Sequence, residues 1–126
     1  MKKDDKRPVV ESFGYAFEGI WTGIAKERNM KIHCLAIIFV TLAGTFFGIT
    51  PVEWCICLLL FALVASLELV NTAVEAAVDL VTEEKKPLAK IAKDTAAGAV
   101  LFSAIVSVII GCIIFLPYVL ELLEKI

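Results

Sequence analysis

The sequence lacks most of what a soluble enzyme uses for chemistry. It has a single histidine, His33, among 126 residues. It has no Gly-x-x-x-x-Gly-Lys-[Ser/Thr] run, which excludes nucleotide chemistry of the P-loop type. No lysine or arginine stands between Lys31 and Lys85. The 12 basic and 14 acidic residues give a formal charge of −2, so nothing draws the chain to nucleic acid. Its four cysteines (Cys34, Cys55, Cys57, Cys112) lie in apolar runs rather than loops. That argues against both a disulfide-stapled module and a metal or redox site. Repeats, low-complexity tracts and flexible linkers are absent, so one domain over 1–126 is expected.

What the chain does have is apolar surface. Hydrophobic residues make up 60% of it, against about 45–50% in an ordinary soluble domain. Mean hydropathy is +0.86. Disorder is excluded, because low hydrophobicity is its defining property. The class this implies is a small integral membrane protein, and the 21% of charged residues then need a reason.

The first thirty-odd residues are polar and charged, which argues against a cleavable signal peptide. Within them Val9, Phe13, Phe17, Ile20, Trp21 and Ile24 recur at helical spacing. This predicts an amphipathic surface helix over about 8–29, with Trp21 at headgroup depth. Cys34 to Ile49 is uncharged and about 18 residues long when Ile32 is included, the short end of a membrane span. A first transmembrane helix is expected at about 32–49. Pro51 is placed to begin the next helix, expected at about 52–81. Thr82 to Pro87 is a charged loop, and Thr95 to Leu116 anchors a third span at about 88–119. The expected fold is all-α: one surface helix and three transmembrane helices.

Basic residues orient this arrangement. Lys2, Lys3, Lys6, Arg7, Lys26, Arg28 and Lys31 precede the first span, and Lys85, Lys86, Lys90 and Lys93 lie around the second loop. Only Lys125 falls on the other side. The positive-inside rule therefore puts the N-terminus and the second loop in the cytoplasm of a cell-membrane protein.

The second span carries Glu68, Asn71, Glu75 and Asp79. At roughly 100° per residue these four fall within an arc of about 80°, on one helix face. An acidic residue at a helix centre costs about 2.5–3.5 kcal/mol on insertion scales. The stripe must therefore face protein, a cation or water. Rising about 1.5 Å per residue from Trp54, it begins in the cytoplasmic leaflet and opens at the interface. That depth suits a site where a water-soluble reagent meets a lipid headgroup. Interhelical hydrogen bonding is the structural alternative. Pro87 starts the third helix, and Lys90 and Lys93 one turn apart suit either phosphate binding or snorkelling to the interface. Ala96, Ala97, Gly98 and Ala99 are small enough for close helix approach, and Gly44 and Gly48 form a GxxxG pair. His33, beside basic neighbours, reads as an interface residue.

The segment from Ser66 to Asp79 (SLELVNTAVEAAVD), with PLAKIAKDTAAGAV from Pro87 to Val100, resembles the prokaryotic diacylglycerol kinase family. The segments Gly14–Gly19 and Glu27–His33 extend that resemblance over nearly the whole chain. The wording SLELVNTAVE, PLAKIAKD and ERNMKIH is most similar to the Gram-positive branch, whose members phosphorylate undecaprenol. The resemblance implies a homotrimeric membrane lipid kinase using ATP and Mg²⁺. By position it makes Glu68 the general base for the lipid hydroxyl, and Glu27 and Glu75 the metal ligands. It puts Asn71 near the reacting groups and Lys93 on phosphate. Asp94, Tyr15 and the loop holding Glu84 and Lys86 fall to the nucleotide site. Pro8 departs from the family, which has an arginine there in its diacylglycerol kinase branch; Arg7 is adjacent.

The leading expectation is thus an undecaprenol kinase. Alternatives are a diacylglycerol kinase, a small proton-coupled transporter using the intramembrane glutamate, and a purely structural assembly subunit.

Overall fold

The structure is a computed structural model and describes residues 8–126. Of the basic residues on which the expected orientation rests, Lys2, Lys3, Lys6 and Arg7 lie outside the described residues. Four helices account for nearly all of the described chain: α1 (Val9–Lys26), α2 (Arg28–Phe47), α3 (Pro51–Val81) and α4 (Pro87–Glu124). α2, α3 and α4 are each long and apolar enough to cross a membrane.

The helix ends follow from local chemistry. Pro51 and Pro87 open α3 and α4 at a position where the missing N–H has no intrahelical partner to lose. Thr50 caps α3: its Oγ1 accepts from the Glu53 amide at 3.2 Å, while Glu53 Oε1 accepts from the Thr50 amide at 2.9 Å. Gly48 ends α2 with φ +64°, and the amide of Ile49 reaches back 3.1 Å to the Gly44 carbonyl.

Glu27 breaks the chain between α1 and α2 with an extended backbone, φ −98° and ψ 120°. The expected surface helix ran on to about 29, so the corner comes earlier, and Arg28 and Asn29 belong to α2. No proline or glycine marks the corner. One turn before it Gly23 is buried, and a Cβ there would collide with the Leu69 side chain on α3. α4 also continues past about 119, through Pro117, to Glu124. Pro117 removes one ladder hydrogen bond without ending the helix.

α3 is the central element, packing most extensively on α4 and also meeting α2 and α1. The buried cluster Ile49, Cys57 and Ile114 lies at the α2–α3 turn, joined by Phe47, Trp54 and Phe115. Tyr118 of α4 donates its hydroxyl to Glu53 Oε1 and ties α4 to the α3 cap. The GxxxG pair is consumed inside the chain. A Cβ at Gly44 would stand 2.8 Å from the Trp54 ring, and Gly48 supplies the helix stop. Gly98, among the small residues of α4, has open space around it.

Several hydroxyls in the spans are satisfied locally. Thr41, Thr45, Ser103 and Ser107 each donate to a carbonyl one turn back. The polar groups that are not handled this way lie in the other half of α3.

Candidate active site

Along α3 the four polar residues pass from buried to exposed. Glu68 is 2% exposed and Asn71 5%, Glu75 is half-buried, and Asp79 is exposed. α3 is about 46 Å long, so it outlasts a hydrocarbon core of about 30 Å. The burial gradient therefore runs from the interior of the bundle toward one end.

Each member of the stripe meets a group from its own chain. His33 Nε2 on α2 lies 3.5 Å from Glu68 Oε2. Asn71 donates Nδ2 to Glu75 Oε1 at 3.3 Å. Lys93 Nζ on α4 lies 2.6 Å from Asp79 Oδ1. Thr72 donates its hydroxyl to the Glu68 carbonyl, so Glu68's backbone is fixed as well as its side chain. Asn71 Oδ1 is buried and is left with no hydrogen-bond partner. A buried acceptor without a donor costs roughly 1–3 kcal/mol, which a ligand's O–H or a cation would recover.

Two hollows meet at this point. A cleft of about 210 Å³ holds Glu68, Asn71, His33 and Asn29, with Ala97 and Val100 of α4 as its far wall. A larger groove of about 550 Å³ lies between α2 and α4, lined by apolar side chains including Val40, Phe47, Leu60, Val64 and Phe115. His33 and Ala104 border both. A carboxylate buried at the head of an apolar groove is the arrangement a greasy alcohol needs: its chain stays in a hydrocarbon-like setting while its hydroxyl reaches a base.

The other expected site residues are not among those lining these two hollows. Tyr15 is an exposed residue of α1, and Glu27 forms the α1–α2 corner. Glu84 and Lys86 sit in the α3–α4 loop, exposed, with Lys86 Nζ 3.8 Å from Glu84 Oε2. Asp94 is ion-paired with Lys90 on the same helix. Among the described residues no three His, Cys, Asp or Glu side chains close around one point. Mg²⁺ commonly takes only one or two carboxylates and completes its shell with phosphates and water, so a site for it does not require three such side chains. The buried, unpartnered Asn71 Oδ1 beside Glu75 fits such a site.

His33, expected as an interface residue, stands beside Glu68 and lines both the cleft and the groove, a pairing that sequence spacing did not show. The signal was tertiary, since 35 positions separate it from Glu68.

The family model for prokaryotic diacylglycerol kinase matches residues 14–115. The chain is 48% identical over 107 residues to the undecaprenol kinase of Bacillus subtilis, covering 85% of this chain and 87% of that one. It is 42% identical over 116 residues to a diacylglycerol kinase of Synechocystis sp., covering 91% of this chain and 66% of the relative. A diacylglycerol kinase of Haemophilus influenzae is 34% identical over 110 residues, covering 85% of this chain and 92% of that one. The lipid-kinase architecture read from the polar stripe and the Ala-Lys-Asp segment is thus matched by the family model and by these relatives, and the chain belongs to the prokaryotic diacylglycerol kinase family.

Proposed function

We propose that this protein transfers the γ-phosphoryl group of ATP to the hydroxyl of undecaprenol, giving undecaprenyl phosphate. The observation that carries this reading is Glu68, a carboxylate 2% exposed where the polar cleft opens into the apolar groove. The polyprenol chain lies in the groove with its hydroxyl in the cleft. Glu68 accepts the hydroxyl proton as the alcohol oxygen bonds to the γ-phosphorus and the bond to the β-phosphate oxygen breaks. Support for undecaprenol over diacylglycerol comes from the 48% identity to the Bacillus subtilis undecaprenol kinase.

Phosphoryl transfer asks a protein for positioning and charge neutralisation more than for covalent chemistry. Lys93 supplies positive charge to the phosphates by exchanging its exposed partner Asp79 for them. Asn71 holds Glu75 through Nδ2, and its buried Oδ1 is left without a donor. Tyr15, Glu84, Lys86 and Asp94 contact the nucleotide at the same end. Glu27 and Glu75 would hold Mg²⁺, which would supply charge neutralisation to the phosphate oxygens.

In this reading the nucleotide end of α3 faces the cytoplasm, because the basic residues gather there. α1 lies along the membrane surface with its apolar residues, Trp21 among them, against the lipid. The working unit is a homotrimer. Ser66 is exposed on α3 within the span, and a neighbouring subunit covers such a group better than lipid does.

Purified protein in detergent, given γ-labelled ATP and undecaprenol, is expected to yield labelled lipid phosphate, and Glu68→Gln to yield none. No labelled lipid from the unsubstituted protein, or equal yield from Glu68→Gln, would overturn the proposal.

A further inference from the structure

We propose that His33 is the positioning residue for Glu68, a role that rests on the lipid-kinase reading above. Its imidazole holds one carboxylate oxygen so that the other faces the incoming hydroxyl. Three observations converge on it. His33 Nε2 lies 3.5 Å from Glu68 Oε2, and among the described residues no lysine or arginine nitrogen comes within 4.0 Å of that carboxylate. The Glu68 side chain is 2% exposed and that of His33 20%, so water does little to orient either group. His33 also borders both the polar cleft and the apolar groove, so an alcohol moving from groove to cleft passes beside it.

The chemistry asks for such a group. A buried carboxylate with two free oxygens rotates about its last bond, and only some of its orientations present a lone pair to the substrate. A donor fixed on a neighbouring helix selects one orientation, and well-placed catalytic groups depend on this kind of support. The separation of 3.5 Å is longer than a formed N–H···O bond, as is common in a free site that tightens around its substrate. The imidazole donates through Nε2–H to one carboxylate oxygen and leaves the other to take the hydroxyl proton. The α1–α2 corner contributes as well. α2 starts at Arg28, directly after the extended Glu27, and that start sets the register that turns His33 toward α3.

The test compares His33→Gln, His33→Asn and His33→Leu with the unsubstituted protein and Glu68→Gln, measuring kcat and KM for both ATP and lipid. The amide nitrogen of glutamine stands close to where Nε2 was; that of asparagine stands nearer Nδ1 and falls short. His33→Gln is expected to stay within about 3-fold of the unsubstituted kcat, while His33→Asn and His33→Leu lose at least about 10-fold in kcat with KM for ATP unchanged. Equal activity in all three, a loss in His33→Gln as large as in His33→Asn, or a change confined to KM would overturn the assignment. Failure of the unsubstituted protein to phosphorylate lipid would instead overturn the lipid-kinase reading itself.

Discussion

Lys93 Nζ on α4 lies 2.6 Å from Asp79 Oδ1 on α3, one turn beyond Glu75. The pair joins the two most closely packed helices at the end of the polar stripe. Both side chains are substantially exposed, 40% and 55%, so the pair adds little stability and is easily exchanged. A phosphate carries more charge than one carboxylate and competes well for the ammonium group. Lys93→Met is therefore expected to lower kcat/KM for ATP by about 100-fold, the size of loss seen when one donor to a transferring group is removed. Asp79→Asn removes the competitor and is expected to stay within about 3-fold of the unsubstituted activity, as steady-state ADP release would measure.

A second prediction concerns how α1 reaches the site. Gly23 packs so closely on Leu69 that any side chain at position 23 displaces that leucine, the neighbour of Glu68. Gly23→Val is expected to destabilise the contact by about 1–3 kcal/mol and to lower lipid phosphorylation with it. Adding Leu69→Ala makes room and is expected to restore most of the loss. A double-mutant cycle on thermal unfolding and on activity measures the coupling.

A third prediction separates packing from association at Gly44. The nearest atoms to a Cβ there belong to the Trp54 ring, at 2.8 and 3.0 Å, and to Ile49 at 3.0 Å. An indole ring yields less readily than the end of a flexible chain, so Gly44→Ala is expected to cost about 1–3 kcal/mol. The loss appears as a lower unfolding temperature in detergent. The size of the oligomer by light scattering stays unchanged, because the glycine faces its own chain.

The sequence carried the coarse architecture well because each signal was local. Three apolar runs, a proline at the head of α3 and of α4, and one polar face on a membrane helix all follow from spacing alone. The corner at Glu27 was not legible, since the residues around it continue a helical pattern and neither proline nor glycine marks it. The meeting of His33 with Glu68, and of Tyr118 with Glu53, joins residues on different helices. No periodicity records such pairs. Gly44 and Gly48 share a spacing suited either to helix association or to packing within the chain, and here they seat Trp54 and end α2.

The most direct test of the account is a competition between lipid alcohols. Purified protein receives labelled ATP with equimolar undecaprenol and diacylglycerol in one detergent preparation, in parallel with Glu68→Gln. The account predicts labelled undecaprenyl phosphate in at least about 10-fold excess over phosphatidic acid, the preference a site fitted to one of two apolar substrates reaches, and no product from Glu68→Gln. Phosphatidic acid as the main product, or label in either lipid undiminished in Glu68→Gln, would contradict it.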